Sequence, residues 1–362
     1  MRPTWAEIDI NALKSNFLQV KRIVGENVGV MCIVKADAYG HGSVEVSLAL
    51  IESGSDMLGV ATVEEAVELR ESGIKAPIIL LGGVQPYEAE RVVEHDLTPS
   101  LFSGSAAKAI DEYAHKVGKK VKYHLKVDTG MSRLGVGVDE VPYFLSELKV
   151  LKNLEMEGVF THLANADKEI VDFTLKQVAV FRKVLSLINQ AGFYPKYTHM
   201  ANSAGIQAYP QSHMNLVRPG IMLYGSGKIS DCELKPAMRL KTQIIQLKSA
   251  PAGTPVSYGG TFVTARPAVI ATLPVGYADG YMRRLSNRAR VSINGFTAPV
   301  VCTLCMDLIM VDVTEVPGVE VGGDVVLFGD ERVSVEDVAK WADTISYEVL
   351  SITGKRVPRV YV

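Results

Sequence analysis

No uninterrupted apolar run in this sequence reaches the roughly 18 residues of a membrane span, so no membrane partner is expected. The opening Met1-Arg2-Pro3-Thr4-Trp5-Ala6-Glu7 lacks the apolar core of a signal peptide, and a cytoplasmic location is the expectation. Excess charge is missing as well. Against 40 Asp and Glu stand 38 Lys and Arg, with no basic stripe of the kind that grips nucleic acid. Small neutral or anionic ligands suit that balance better. Cysteine is scarce, four in all, and only Cys302 and Cys305 lie close together. They fall in an apolar run that reads as a strand, where positions three apart face opposite sides, so neither chelation by the pair nor a metal centre is expected. A Walker-type loop and a G-x-G-x-x-G between strand and helix are both absent, which weakens nucleotide readings. The sequence also shows no internal repeat, low-complexity tract or flexible linker.

What the sequence does have is length for two domains: at 362 residues, 48% of them hydrophobic, it exceeds an ordinary single core. An amphipathic helix from about Asn11 to Val24 is followed by short apolar runs alternating with helical patterns as far as Gly225. Strands are expected near Val28 to Val34, Met57 to Ala61, Pro77 to Leu81, Thr98 to Phe102, Val121 to Val127, Glu155 to His162, Tyr197 to Ala201 and Asn215 to Arg218. Helices such as Thr62 to Glu71, opened by a capping box of Thr62 and Glu65, and Asp172 to Gln190, closed by Gly192, lie between them. Eight strands alternating with helices predict an α/β fold built on an N-terminal eight-stranded (β/α) barrel. No long helix follows the eighth strand, which makes the first helix the candidate to close the ring. Beyond about Cys232 the pattern turns to strand after strand, in Gln243 to Lys248, Ala268 to Leu273, Arg290 to Ile293, Pro299 to Val313 and Asp324 to Phe328. A helix at Ser334 to Ala342, a short one near Tyr347 and a final strand complete a C-terminal, mostly β domain.

Within the barrel, the stretch Val34-Lys35-Ala36-Asp37-Ala38-Tyr39-Gly40-His41-Gly42 sets a lone lysine at the end of the first strand, with two glycines to turn the chain into a helix. Partial desolvation lowers a lysine pKa, and a neutral amine condenses with an aldehyde, the anchoring chemistry of pyridoxal phosphate (PLP) enzymes. A solvated lysine beside a glycine turn is the plainer reading of the stretch alone. Barrels of this kind place their chemistry at the C-terminal strand ends. There the sequence puts Lys35, Lys126 with Asp128, His162, Asn202 with Ser203, and Arg218, all expected at one mouth. Backbone N–H groups near Gly220, with the Ser203 hydroxyl, are candidates for a phosphate site between the last two strands.

At this point the motifs resemble a known family. Lys35 to Gly42, Lys126-Val127-Asp128-Thr129-Gly130-Met131-Ser132-Arg133-Leu134-Gly135, Thr161 to Asp167, Ala201 to Gly205, Arg218-Pro219-Gly220-Ile221, Ser257-Tyr258-Gly259-Gly260, Gly276 to Gly280 and Cys305-Met306-Asp307 look like alanine racemase, in order across nearly the whole chain. The resemblance implies a PLP-dependent racemase acting on L- and D-alanine and a homodimer with shared sites. It also implies a barrel at 11–232 and a β domain at 233–362 that takes in residues 1–10. In a bacterium, D-alanine would supply peptidoglycan.

Lys35 would then hold PLP and act as one acid/base, while Tyr258 of the partner subunit serves the other face, because racemisation needs a proton removed from one side and returned on the other. His162 would support that tyrosine through a hydrogen-bonded chain reaching Arg218, itself placed at the pyridine nitrogen. Tyr39, Ser203, Gly220, Ile221 and Tyr347 would contact the phosphate. Arg133 would face the cofactor's phenolic oxygen and the substrate carboxylate, to which Met306 of the partner subunit would offer its backbone N–H. Lys126 is a candidate for carbamylation, as an anion orienting Arg133. Tyr347 would narrow the pocket in favour of alanine, with some serine turnover expected.

Two positions depart from the family pattern. Asp37 stands where asparagine is more usual, and Thr303-Leu304 stand where a glycine with a basic residue is expected. Three rival readings are a decarboxylase of basic amino acids, a barrel-type PLP carrier and a Schiff-base aldolase. They are disfavoured in turn by chain length, by the segment Tyr258 to Met306, and by the purposeless Arg218 and Tyr258 an aldolase would leave.

Overall fold

The computed structural model describes residues 3–167, 171–227 and 233–362. Its first strand, β1 (Thr4–Ile8), leads through the Asp9 cap, whose carboxylate accepts from the Ala12 N–H, into the helix Ile10–Val24. The barrel strands follow: β2 (Gly29–Ile33), β3 (Met57–Val60), β4 (Ile78–Leu80), β5 (Thr98–Leu101) and β6 (Val121–Asp128). The two-residue β7 (Val136–Gly137) pairs beside β6, and β8 (Leu154–Phe160), β9 (Tyr197–His199) and β10 (Leu216–Val217) complete the series. All pair in parallel in the order β10-β2-β3-β4-β5-β6-β8-β9. The seam between β9 and β10 is bridged by N–H groups of Asn215 and Arg218 bonding to carbonyls of Thr198 and Ala201. Runs such as Met57–Val60 and Ile78–Leu80 are buried throughout, as strands covered on both faces must be.

All eight expected barrel strands are present with ends within two residues of those expected; most are trimmed, while β6 runs on to Asp128 and β8 starts earlier, at Leu154. After β10 comes only a 3₁₀ turn, Ile221–Tyr224, and the first helix packs against it and against the helix Ser43–Glu52. Buried Asn16 fastens that corner: its amide donates to the carbonyls of Leu223 (3.0 Å) and Lys235 (2.8 Å), and its oxygen accepts from the Lys235 N–H (2.9 Å).

The second domain holds a six-stranded sheet, β17-β16-β19-β11-β1-β20. Its members are β11 (Met238–Gln243), β16 (Arg290–Ile293), β17 (Phe296–Pro299), β19 (Asp324–Phe328), β20 (Arg359–Tyr361) and, from the other end of the chain, β1. Strand β1 runs antiparallel to β11 and parallel to β20. A smaller sheet joins β12 (Gln246–Ala250), β15 (Ala268–Leu273) and β18 (Ile309–Asp312), and the hairpin β13 (Pro255–Val256) with β14 (Phe262–Val263) carries Tyr258 at its tip.

Two expectations need correction here. The run Gln243 to Lys248 is not one strand: it straddles the end of β11 and the start of β12, and the alternating burial of Met238–Gln243 marks the strand that precedes it. The run Pro299 to Val313 is a reversal. Val300 bridges Val311, the Val301 N–H bonds to the Met310 carbonyl (2.9 Å), and the Cys305 N–H bonds to the Leu308 carbonyl (3.1 Å). Cys302 and Cys305 therefore sit in a hairpin loop, and the opposite-face argument does not apply to them. Cys302 is buried with its sulfur accepting from the Met310 N–H, while Cys305 lies beside the Ser257 hydroxyl.

Replacing Asn16 by Ala strands the buried Leu223 carbonyl and the part-buried carbonyl and N–H of Lys235, a buried group costing roughly 1–3 kcal/mol when unsatisfied. Urea unfolding of Asn16→Ala is expected to show about 3 kcal/mol lost, or more, with the far-UV spectrum of the folded state unchanged; a loss below about 0.5 kcal/mol would remove Asn16 from this role.

Candidate active site

A cavity of about 720 Å³ opens at the C-terminal mouth of the barrel, and its lining gathers Lys35, Tyr39, Lys126, Arg133, His162, Asn202, Ser203, Arg218, Gly220, Ile221 and Tyr347. Four of these are lysine or arginine. Asp128, expected with them, is turned elsewhere. One of its carboxylate oxygens accepts from the N–H groups of Gly130, Met131 and Ser132, so it shapes the loop that carries Arg133 and does not line the cavity.

Arg218 is buried and held on two sides. Nη1 donates to His199 Nδ1 (2.7 Å); Nη2 donates to the carbonyls of Thr161 (2.8 Å) and Met200 (3.2 Å) and to His162 Nδ1 (3.2 Å). A guanidinium only donates, so both imidazoles accept at Nδ1 and carry their proton on Nε2. His199 passes its Nε2–H to His124 Nδ1 (2.8 Å). Burial first, then the Arg218 charge, holds both His162 and His199 well below the usual histidine range, so the chain is neutral apart from the arginine. Arg218 is itself lowered to about 9 by burial and Arg133. Its Nε–H and one Nη1 N–H have no protein acceptor among the described residues. His199 and His124 escaped sequence reasoning because a histidine inside a buried strand looks like any satisfied core histidine.

Burial and the neighbouring Arg133 lower the Lys35 amine, while Glu65 acts the other way. Lys126 is pushed down to about 7, by burial first and then by Arg218 and Arg133. Its ammonium lies 4.6 Å from the centre of the Phe160 ring, and the Arg218 guanidinium lies 5.3 Å from the same ring.

The two glycines after Lys35 do turn the chain into the helix Ser43–Glu52, with φ of 81° at Gly40 and 95° at Gly42, its cap, but the turn holds more than they require. Lys35–Gly40 forms a single helical turn of left-handed sense: Ala36, Asp37, Ala38 and Tyr39 have φ of 53°, 54°, 50° and 54°. Left-handed geometry costs a non-glycine residue roughly 1–2 kcal/mol, so four in succession persist only under outside constraint. One constraint is Glu65, whose carboxylate does more than cap its helix: it accepts the Ala36 N–H (2.7 Å) and the Ala61 N–H (2.7 Å), tying the ends of β2 and β3 together. Gly220 meets the turn from across the cavity. A Cβ there would stand 2.7 Å from the Tyr39 hydroxyl, and its N–H donates to Ser203 Oγ (2.9 Å).

Tyr258 and Met306 do not line this cavity in their own chain. Both are exposed, at 72% and 53%, on loops brought together where Ser257 Oγ bonds to the Thr303 carbonyl (3.1 Å).

Residues 8–228 match the family described as alanine racemase, N-terminal domain, and residues 237–361 that described as alanine racemase, C-terminal domain. The chain belongs to the alanine racemase family. It is 46% identical over 367 residues to the alanine racemase of Halothermothrix orenii, spanning 99% of this chain and 97% of that one. The solved alanine racemase of Clostridium difficile 630 has 38% identity and a TM-score of 0.96, over 100% of this chain and 96% of that chain. That of Bartonella henselae, solved with covalently bound pyridoxal phosphate, has 33% identity and a TM-score of 0.91 over 100% of both chains. Membership bears out the resemblance read from the motifs and the barrel-plus-β architecture, and makes the protein an enzyme, an isomerase.

The crowding of charge has a consequence for stability. A lysine whose pKa falls from 10.5 unfolded to about 7 folded opposes folding fully below pH 7, and the opposition fades as pH rises toward 10.5. In CO₂-free buffer, Lys126→Met is therefore expected to raise the Tm of the cofactor-free protein by roughly 2–4 °C at pH 6, with a smaller gain at pH 9. Thermal scans at the two pH values check this, and a gain that grows with pH would contradict it.

Proposed function

We propose that this enzyme interconverts L- and D-alanine with pyridoxal 5′-phosphate as its cofactor, using Lys35 on one face of the substrate and Tyr258 of the partner subunit on the other. The observation that carries the reading is the concentration of Lys35, Lys126, Arg133 and Arg218 around one cavity, which suits a ligand bearing both a phosphate and a carboxylate. The donors fit that cofactor: an amine of lowered pKa at Lys35, N–H groups on Arg218 without an acceptor among the described residues, and the side-chain-free approach of Gly220 beside Ser203 and Tyr39. When bound, the cofactor supplies an electron sink that acidifies the substrate Cα–H.

Lys35 would anchor the cofactor and move a proton at Cα on its side. His162, with its proton on Nε2, would donate to the phenol oxygen of the partner's Tyr258, and a hydrogen bond given to that oxygen favours the phenolate, the form able to take a proton. Arg218 would hold the ring nitrogen as an acceptor. Tyr39, Ser203, Gly220, Ile221 and Tyr347 would hold the phosphate. Arg133 and the backbone N–H of Met306 of the partner subunit would hold the substrate carboxylate. With a pKa near 7, Lys126 is part neutral at physiological pH, and the neutral amine is the form that adds to CO₂, forming the N–C bond and releasing a proton. We read 11–232 as the cofactor-holding unit and 233–362 with 1–10 as the unit completing the partner's site. The exposure of Tyr258 and Met306, away from their own chain's cavity, supports a homodimer with shared sites. Among the described residues no helix is long and apolar enough to cross a membrane. A cytoplasmic role supplying D-alanine for peptidoglycan accords with the family.

The deciding experiment is proton NMR of L-alanine with the PLP-loaded protein in D₂O, beside chiral analysis. Loss of the α-proton signal with appearance of D-alanine is expected; no exchange would overturn the reading. Tyr258→Phe is expected to slow conversion by about 10² to 10⁴, the contribution usual for a general acid/base, and unchanged rates in both directions would remove Tyr258 from the mechanism. Sedimentation is expected to give a dimer at assay concentration, and an active monomer would exclude shared sites.

A further inference from the structure

Glu65 secures only one end of the left-handed turn at Ala36 to Tyr39; the other end is secured from the second domain. Arg359, on the C-terminal strand β20, is 11% exposed at its side chain, and its guanidinium uses all three nitrogens. Nε donates to the Gly40 carbonyl (2.9 Å), Nη1 to the carbonyls of Gly354 (2.8 Å) and Val357 (2.6 Å), and Nη2 to that of Thr353 (2.8 Å). Nη2 also pairs with Asp37 Oδ2 at 3.5 Å. The other Asp37 oxygen accepts the Ser43 N–H (2.9 Å), so this carboxylate links the turn, the start of the next helix and the arginine. Two residues on, the Tyr361 hydroxyl donates to Glu45 (3.2 Å), and a Cβ at Gly42 would run into it. The aspartate that departs from the family's usual asparagine is therefore the residue that faces the arginine.

We propose that Arg359, through the Gly40 carbonyl and the Asp37 carboxylate, is a positioning residue for Lys35: the last strand of the β domain latches the lysine turn of its own subunit. The physical basis is that a left-handed run of non-glycine residues relaxes unless it is held at both ends. An asparagine at position 37 would keep an acceptor for Ser43 but present a neutral group to the guanidinium. The charge at Asp37 thus strengthens a contact that a neutral residue would leave weaker.

The test is hydrogen–deuterium exchange on the full-length, cofactor-free protein, following the segment 35–43, where the N–H groups of Ala36, Ala38, His41, Gly42 and Ser43 are all bonded. Arg359→Gln is expected to speed exchange there about tenfold, as fits the loss of charge-assisted hydrogen bonds. Asp37→Asn is expected to speed it about threefold, as fits a partly exposed ion pair. The double variant is expected to exchange no faster than Arg359→Gln, because the two residues act through one contact. Exchange in β16, at Arg290–Ile293, should stay at the wild-type rate. Wild-type exchange at 35–43 in both single variants would overturn the proposal, and so would a uniform acceleration along the chain. Should Arg359→Gln fail to fold, Asp37→Asn alone decides. A parallel absorbance titration with pyridoxal phosphate is expected to show weaker uptake in the same order. That arm rests on the function proposed above: a wild-type protein that takes up no cofactor would defeat that reading, while the exchange data still judge the latch.

Discussion

Like charges confined to one cavity are the constraint on which this structure turns. Lys35, Lys126, Arg133 and Arg218 line the same space, and the burial of Lys126 and Arg218 strengthens the repulsion between them. A fold tolerates such a group only if the cations are individually held. Arg218 is held by two backbone carbonyls and two imidazoles, and Lys126 by the face of Phe160. What the described fold does not do is pair them with carboxylates inside the cavity. Asp128, the nearest carboxylate in sequence, is spent on three backbone N–H groups of a loop, and among the described residues no carboxylate pairs with Arg218. Local consistency is broken at the site and kept elsewhere, the pattern expected where a ligand completes the electrostatics.

The barrel explains how these side chains converge, and the turn after β2 explains why Lys35 is aimed among them. Parallel strands bring their C-terminal ends to one rim, which places Lys126, His162 and Arg218 with no special backbone. Lys35 is different. It is followed by four left-handed residues, tied to the barrel by Glu65 and to the β domain by Arg359. The two domains thus meet through the segment that bears the amine, and the insertion of β1 between β11 and β20 makes the β domain a structure of both chain ends.

How much of this was legible follows from what a pattern can encode. Buried parallel strands are short apolar runs between helices, so all eight could be read. Pro299 to Val313 is also one apolar run, yet it folds back on itself, because hydrophobicity does not mark where a chain reverses inside a core. The residues that touch the cavity could be found because strand ends are readable and the family motifs cover them. The residues that support them were hidden. His199 and His124 are ordinary strand positions until the third dimension stacks them behind Arg218, and Glu65 shows in sequence only as a helix cap. Arg359 lies more than 300 positions from the turn it holds. Only Asp37 gave a sign, as a departure from the family pattern whose meaning needed the arginine opposite it.

The hydrogen-bond directions around Arg218 bear on the choice between reactions open to one cofactor. Among the described residues, every group that accepts a hydrogen bond from this guanidinium is uncharged: two carbonyls and two imidazoles in the Nε2–H form. A carboxylate in their place would offset the positive charge and could itself take a proton. Among the described residues Arg218 has no such partner; although burial and Arg133 lower it to about 9, it stays protonated at neutral pH, and a ring nitrogen set against it would only accept. On the function proposed above, an accepting nitrogen would make the cofactor a weaker electron sink than a protonated one, which would favour return of the proton to Cα. On that function, an arginine at the ring nitrogen, backed by two neutral histidines, would favour racemisation over transamination.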